Sequence, residues 1–187
     1  MKVLWIEDHA RAGELLAAAA AAASRKRYGI DLVIATSLMD AERKLRLERF
    51  DLVVIDESHN FRNNTKGKRD EDGNVVKKSR YERLMDDVIR KGVKTKVLLL
   101  SATPVNNDLS DLRNQIYFVT EGRDTAFSSN LAIGSIKDTL ATAQKTFMEW
   151  ARRSGERDAR DLMDRLSASF FTLLDELTIA RSRNHIK

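Results

Sequence analysis

Cysteine is absent from this chain, which removes disulfides, zinc-cysteine sites and thiol nucleophiles from consideration. Its histidines, His9, His59 and His185, are scattered without a metal-binding spacing. Long apolar runs are also lacking. The alanine run Ala17 to Ala23 is flanked by charge and falls well short of the roughly 20 residues a membrane helix needs. Glu7 and Asp8 interrupt the first apolar stretch almost at once, so the N-terminus does not read as a signal peptide. The expected compartment is the cytoplasm, with no membrane partner.

What remains is 187 residues, 42% hydrophobic and 33% charged, enough for one α/β domain with a real core and a helical appendage. A net charge of +5 permits contact with nucleic acid, although a solvated basic surface has the same composition.

Hydrophobic patterning alternates between short apolar runs and helical stretches. Lys2 to Ile6 predicts a strand, and residues 10–27 a helix rich in alanine, which has the highest helix propensity. Gly29 is a natural stop after Arg25-Lys26-Arg27. A second strand is expected over Asp31 to Thr36. Ser37 then caps a helix to about Glu48, with Leu38, Ala41, Leu45 and Met39 facing inward. Asp51 to Ile55 is the third strand. Residues 60–79, with two glycines and mixed charge, break the rhythm and read as a surface insertion. A helix over Tyr81 to Arg90, with Leu84, Met85, Val88 and Ile89 inward, ends at Gly92. A fourth strand spans Thr95 to Leu100. Another helix, capped by Asn107 or Asp108, runs to Val119 and ends near Gly122. Helices are expected over Ile136 to Arg153 and, unbroken, over Asp158 to about Arg181. The fold class is therefore α/β, a parallel doubly wound three-layer sheet of about four strands, RecA-like or flavodoxin-like. Residues 1–122 form the α/β domain, and residues 123–187 form a helical extension packed on it.

Two strands end in small polar clusters, Asp56-Glu57-Ser58-His59 and Ser101-Ala102-Thr103-Pro104. The carboxyl edge of a parallel sheet is where such folds present chemistry. Together the clusters resemble motifs II and III of superfamily-two helicase-like ATPases of the DEAH-box kind. The continuations Asn60-Phe61-Arg62-Asn63 and Pro104-Val105-Asn106-Asn107, followed by Asp111-Leu112, look most like the SWI/SNF-related branch. The resemblance runs from about residue 50 to Leu177-Thr-Ile-Ala-Arg-Ser-Arg183. It implies that Asp56 holds magnesium and Glu57 polarises the attacking water. It also implies that His59 and Ser101-Ala102-Thr103 couple nucleotide state to movement on DNA. A strand-terminal aspartate also caps turns, and Asp56 taken alone does not choose between the two roles. These 187 residues contain no Gly-x-x-x-x-Gly-Lys-Ser/Thr phosphate loop and no second lobe with its arginine finger. The expectation is a partial first ATPase lobe that by itself binds ATP weakly and hydrolyses it negligibly, working with DNA and a complementing lobe.

The first 50 residues tell a different story. Lys2-Val-Leu-Trp-Ile-Glu-Asp8, the following helix, Gly29-Ile-Asp-Leu-Val-Ile-Ala-Thr-Ser37 and Phe50-Asp-Leu-Val-Val-Ile-Asp56 resemble half of a response-regulator receiver domain. That resemblance implies a magnesium site from Glu7, Asp8 and Asp56, phosphorylation on Asp56, and Ser101-Ala102 as the hydroxyl-bearing pair after strand four. Oxygen ligands of this kind suit magnesium. Two features depart from the receiver pattern: the insertion at 60–79, and the lack of a fifth strand ending in Lys-Pro after residue 119. The reading is of a recombined chain in which a receiver-like half joins a helicase-like half at the Asp56 strand, with a signalling partner as the alternative to DNA. A third possibility is a catalytically silent interaction domain. The candidate nucleic-acid contacts are Lys66, Lys68, Arg69, Lys77 and Lys78. Trp5 and Trp150 have no aromatic cluster beside them and read as packing residues.

Overall fold

A computed structural model describes residues 1–7, 14–90, 95–106, 108–153 and 158–179, with the backbone alone for 14–20. The expectations for Asp8, His9, Gly92, Asn107, Arg181, Arg183 and His185 lie outside the described residues. Four parallel strands form the main sheet, β1 (Lys2–Ile6), β2 (Asp31–Ala35), β3 (Leu52–Ile55) and β6 (Lys96–Leu99), in the order β2-β1-β3-β6. The register aligns Ile6 with Ala35 on one side and with Ile55 on the other, and Ile55 with Leu99. The strand ends therefore share one edge.

Local chemistry sets the connections. Helix α1 (Glu14–Tyr28) packs along β2 and stops at Gly29, whose φ of +64° is open to glycine. Its N–H donates to the Arg25 carbonyl at 3.1 Å. Helix α2 (Leu38–Leu47) starts where the Ser37 hydroxyl accepts the Asp40 N–H, as expected. Met39 is a correction: it is 70% exposed, because the inward stripe is filled by Leu38, Ala41 and Leu45.

The segment expected to be an irregular insertion is ordered. Ser58–Phe61 makes one 3-10 turn, and strands β4 (Lys68–Arg69) and β5 (Val75–Lys77) make an antiparallel hairpin. Asp70 organises its tip by accepting the Asn74 N–H at 2.6 Å and the Asn74 amide at 3.1 Å. The hairpin base is fastened to helix α3 (Arg80–Glu82) by a capping box: Glu82 accepts the Ser79 N–H at 2.9 Å, and Ser79 accepts the Glu82 N–H at 3.1 Å. Glu82 also accepts the Gly67 N–H at 2.8 Å and pairs with Arg69. From Arg83 to Ile89 the helix widens to π geometry, with the Arg90 N–H reaching the Met85 carbonyl at 2.9 Å.

Leu4, Ile6, Val53 and Ile55 from the sheet meet Leu38, Ala41, Leu84, Met85, Val88 and Phe118 in the main core. Phe118 belongs to α4 (Leu109–Thr120), whose N-terminus is capped by Asp108. A second core joins Leu112 and Ile116 of α4 to α5 (Ile136–Ala151) and α7 (Ala168–Leu177) through Ile136, Leu140, Ala143, Phe170 and Leu173. The helical extension thus rests on α4, with Tyr117 packed against both cores, and the unbroken helix expected after Asp158 is corrected. It divides into α6 (Ala159–Arg165) and α7, because Leu166 turns extended and Ser167 caps the second helix.

Candidate functional site at the carboxyl edge of the sheet

From β1 the chain crosses to β2 on one side and then returns past β1 to β3 on the other. Crossovers in opposite directions make the carboxyl ends of β1 and β3 a topological switch point, the place where open α/β sheets put their ligands. Glu7 directly follows β1 and Asp56 directly follows β3, so both flank that switch point. The Glu7 N–H donates to the Ala35 carbonyl at 2.9 Å and the Asp56 N–H to the Ile6 carbonyl at 3.0 Å, fixing both Cα positions by sheet hydrogen bonds.

After Asp56 the backbone turns sharply. Glu57 has φ 46° and ψ 44°, a left-handed conformation that costs a non-glycine residue about 1–2 kcal/mol. Its N–H donates to Asp56 Oδ1 at 2.9 Å, and its carboxylate Oε2 lies 3.0 Å from His59 Nδ1. Ser58 is fully buried, with its N–H on the Leu100 carbonyl at 2.8 Å and its hydroxyl donating to Gln115 Oε1 at 3.0 Å. The second loop meets the first at His59, whose Nδ1 is 3.5 Å from Ser101 Oγ. That hydroxyl in turn accepts the Thr103 N–H at 3.1 Å. The two contacts of His59 share one ring nitrogen, so the trio does not form the relay of a nucleophilic serine, which needs both nitrogens. Ala102 and Thr103 are exposed.

The structure therefore brings Asp56, Glu57, His59 and Ser101 together and places Glu7 on the adjoining strand end. Among the described residues no three His, Cys, Asp or Glu side chains group to hold a metal. Magnesium, which keeps several waters and takes one or two carboxylates, suits the oxygen donors Glu7 and Asp56. ATP is a poorer fit, since no described loop has the phosphate-cradling sequence. The basic set divides: Arg69 pairs with Glu82, and Lys78 lies 2.7 Å from Asp87 and 3.5 Å from Asp86. Lys66, Lys68 and Lys77 are exposed, and Lys68 faces Lys77 across the hairpin.

Sequence reasoning missed the side chains that tie the two loops together. Asn114 Nδ2 donates to the Arg62 carbonyl at 2.7 Å, and Asp111 Oδ2 accepts the Asn106 N–H at 2.9 Å. Gln115 Nε2 donates to the Pro104 carbonyl at 2.6 Å. The available signal was an amide, Gln115, sitting between Leu112 and Ile116 on the apolar stripe of α4.

No protein-family model matches this chain, and no curated protein matches it. Among the described residues no helix is long and apolar enough to cross a membrane.

Proposed function

We propose that this chain is a partial first ATPase lobe of a SWI/SNF-related, DNA-dependent helicase or translocase of the cytoplasm. The observation that carries the reading is the meeting of the two strand-end clusters, His59 with Ser101 at 3.5 Å, beside the Asp56-Glu57 turn. In this reading Asp56 holds magnesium, and the metal neutralises phosphate charge when nucleotide is bound. Glu57 orients a water, and His59 passes the state of that turn to Ser101-Ala102-Thr103. The phosphate loop and arginine finger come from a complementing lobe. The test is binding of a fluorescent ATP analogue by the purified chain with magnesium, beside ATP turnover with and without duplex DNA. Weak, magnesium-dependent binding lost in Asp56→Asn, without turnover, is the expected result. Turnover by the chain alone would sink the idea of a partial lobe, and no binding at any magnesium concentration would sink the ATPase reading.

One observation favours a second reading, a receiver-like phospho-signalling module. The order β2-β1-β3-β6 is the flavodoxin-like order through its first four strands, with Glu7, Asp56 and Ser101 at one edge. Intact mass after incubation with acetyl phosphate and magnesium decides between the two. One phosphoryl group on wild type and none on Asp56→Asn would establish the receiver site.

A further inference from the structure

Gln115 is 3% exposed and Ser58 is 0% exposed, so neither polar side chain is satisfied by solvent. A buried primary amide is unfavourable unless both of its ends are bonded. The Pro104 carbonyl, at 2.6 Å, can only accept, and so it faces Nε2 of Gln115; the Asp111 carbonyl accepts from the same nitrogen at 3.3 Å. Oε1 is thereby turned to Ser58, whose hydroxyl it accepts at 3.0 Å. One side chain on α4 bridges the loop after β3 and the loop after β6. Its helix neighbours Leu112 and Ile116 are packed with α5 and α7.

We propose that Gln115 is a positioning residue for the carboxyl-edge site, holding the left-handed Asp56-Glu57 turn against the Ser101–Thr103 segment so that His59 meets Ser101. The inference rests on the reading of Asp56, Glu57, His59 and Ser101 as the working groups, but its test does not depend on nucleotide.

The experiment compares the full chain with Gln115→Leu, which is close in size and makes no side-chain hydrogen bond, and with Ser58→Ala, which deletes only the hydroxyl. Two readouts are taken by NMR: the ring resonances of His59, whose polar contacts are to Glu57 and Ser101, and amide exchange at Ser58, Thr103 and Leu100. The Leu100 N–H bonds the Ile55 carbonyl at 2.9 Å and reports on the sheet. In Gln115→Leu, exchange at Ser58 and Thr103 rises about tenfold relative to Leu100, and the His59 resonances move. Ser58→Ala reproduces the His59 movement and decides the matter if Gln115→Leu does not fold. Equal acceleration at all three amides, or unmoved His59 resonances, overturns the proposal. If wild type binds no magnesium ATP while these signals appear, the ATPase reading fails and the positioning role stands.

Discussion

Glu57 reaches two residues forward to place a carboxylate oxygen 3.0 Å from His59 Nδ1, and it does so from a left-handed backbone of φ 46°. Strain and contact are joined in one residue, as at sites where local geometry is held for a purpose. Glu57→Gly relieves the backbone and removes the carboxylate. The expected outcome is stability unchanged or raised by about 1 kcal/mol in urea unfolding, together with changed His59 resonances. A loss of more than about 1 kcal/mol would mean that the His59 contact outweighs the strain.

Glu82 carries the hairpin. The Ser79 N–H, acting against the desolvation of burial and joined by the Gly67 N–H and the Arg69 guanidinium, lowers its carboxyl from 4.5 to about 2. A carboxyl depressed on folding adds stability above its unfolded value, and that stability is lost as pH falls through the folded value. Glu82 should thus account for about 2 kcal/mol of the stability lost between pH 4.5 and about 2 in wild type. Glu82→Gln should lack that component. Thermal unfolding across this window checks it, and identical profiles would refute it.

Gly67 lies against the end of β5 and the residues just after it. A Cβ there would stand 1.9 Å from the Lys77 carbonyl oxygen and 2.6 Å from the Ser79 nitrogen, both backbone atoms. Gly67→Ala should push the hairpin off its base and break the Gly67 bond to Glu82, costing about 1–3 kcal/mol. Proteolysis between Lys66 and Lys78 should quicken while the main core remains protected.

Lys66, Lys68 and Lys77 form the exposed part of the basic set, whereas Arg69 and Lys78 are engaged by carboxylates. Like charges facing each other across a ribbon, as Lys68 and Lys77 do, are unfavourable without an anion between them. Replacing Lys66, Lys68 and Lys77 by alanine should reduce the slope of log affinity for duplex DNA against log salt by about 3. Arg69→Ala should act mainly on stability. An unchanged slope in the triple variant would remove the hairpin from DNA binding.

Phe118 is fully buried, with its ring centroid 4.8 Å from that of Tyr81. Phe118→Ala should cost about 3–5 kcal/mol, read from the urea midpoint. A smaller loss would show that the space between α4 and the π-helical segment collapses readily.

The alternation of apolar runs with helical stretches determined the four strands and their parallel arrangement. Short buried strands separated by helices have few ways to pair. The caps were also legible, because Ser37 and Asp108 act on N–H groups within three residues of themselves. The Asp56 and Ser101 clusters could be read for the same reason, as each ends an apolar run. Tertiary structure decided what depends on distant partners. The segment from 60 to 79 looks irregular in sequence, and it is ordered by the Glu82 carboxylate, which collects Gly67, Ser79 and Arg69. The helix after Asp158 breaks at Leu166. Met39 is displaced from the core by the geometry of the stripe beside it. Taken by itself, Gln115 is a polar residue on an apolar helix face. Only the approach of two loops, brought from β3 and β6 to one edge, gives its amide a hydroxyl on one side and a carbonyl on the other.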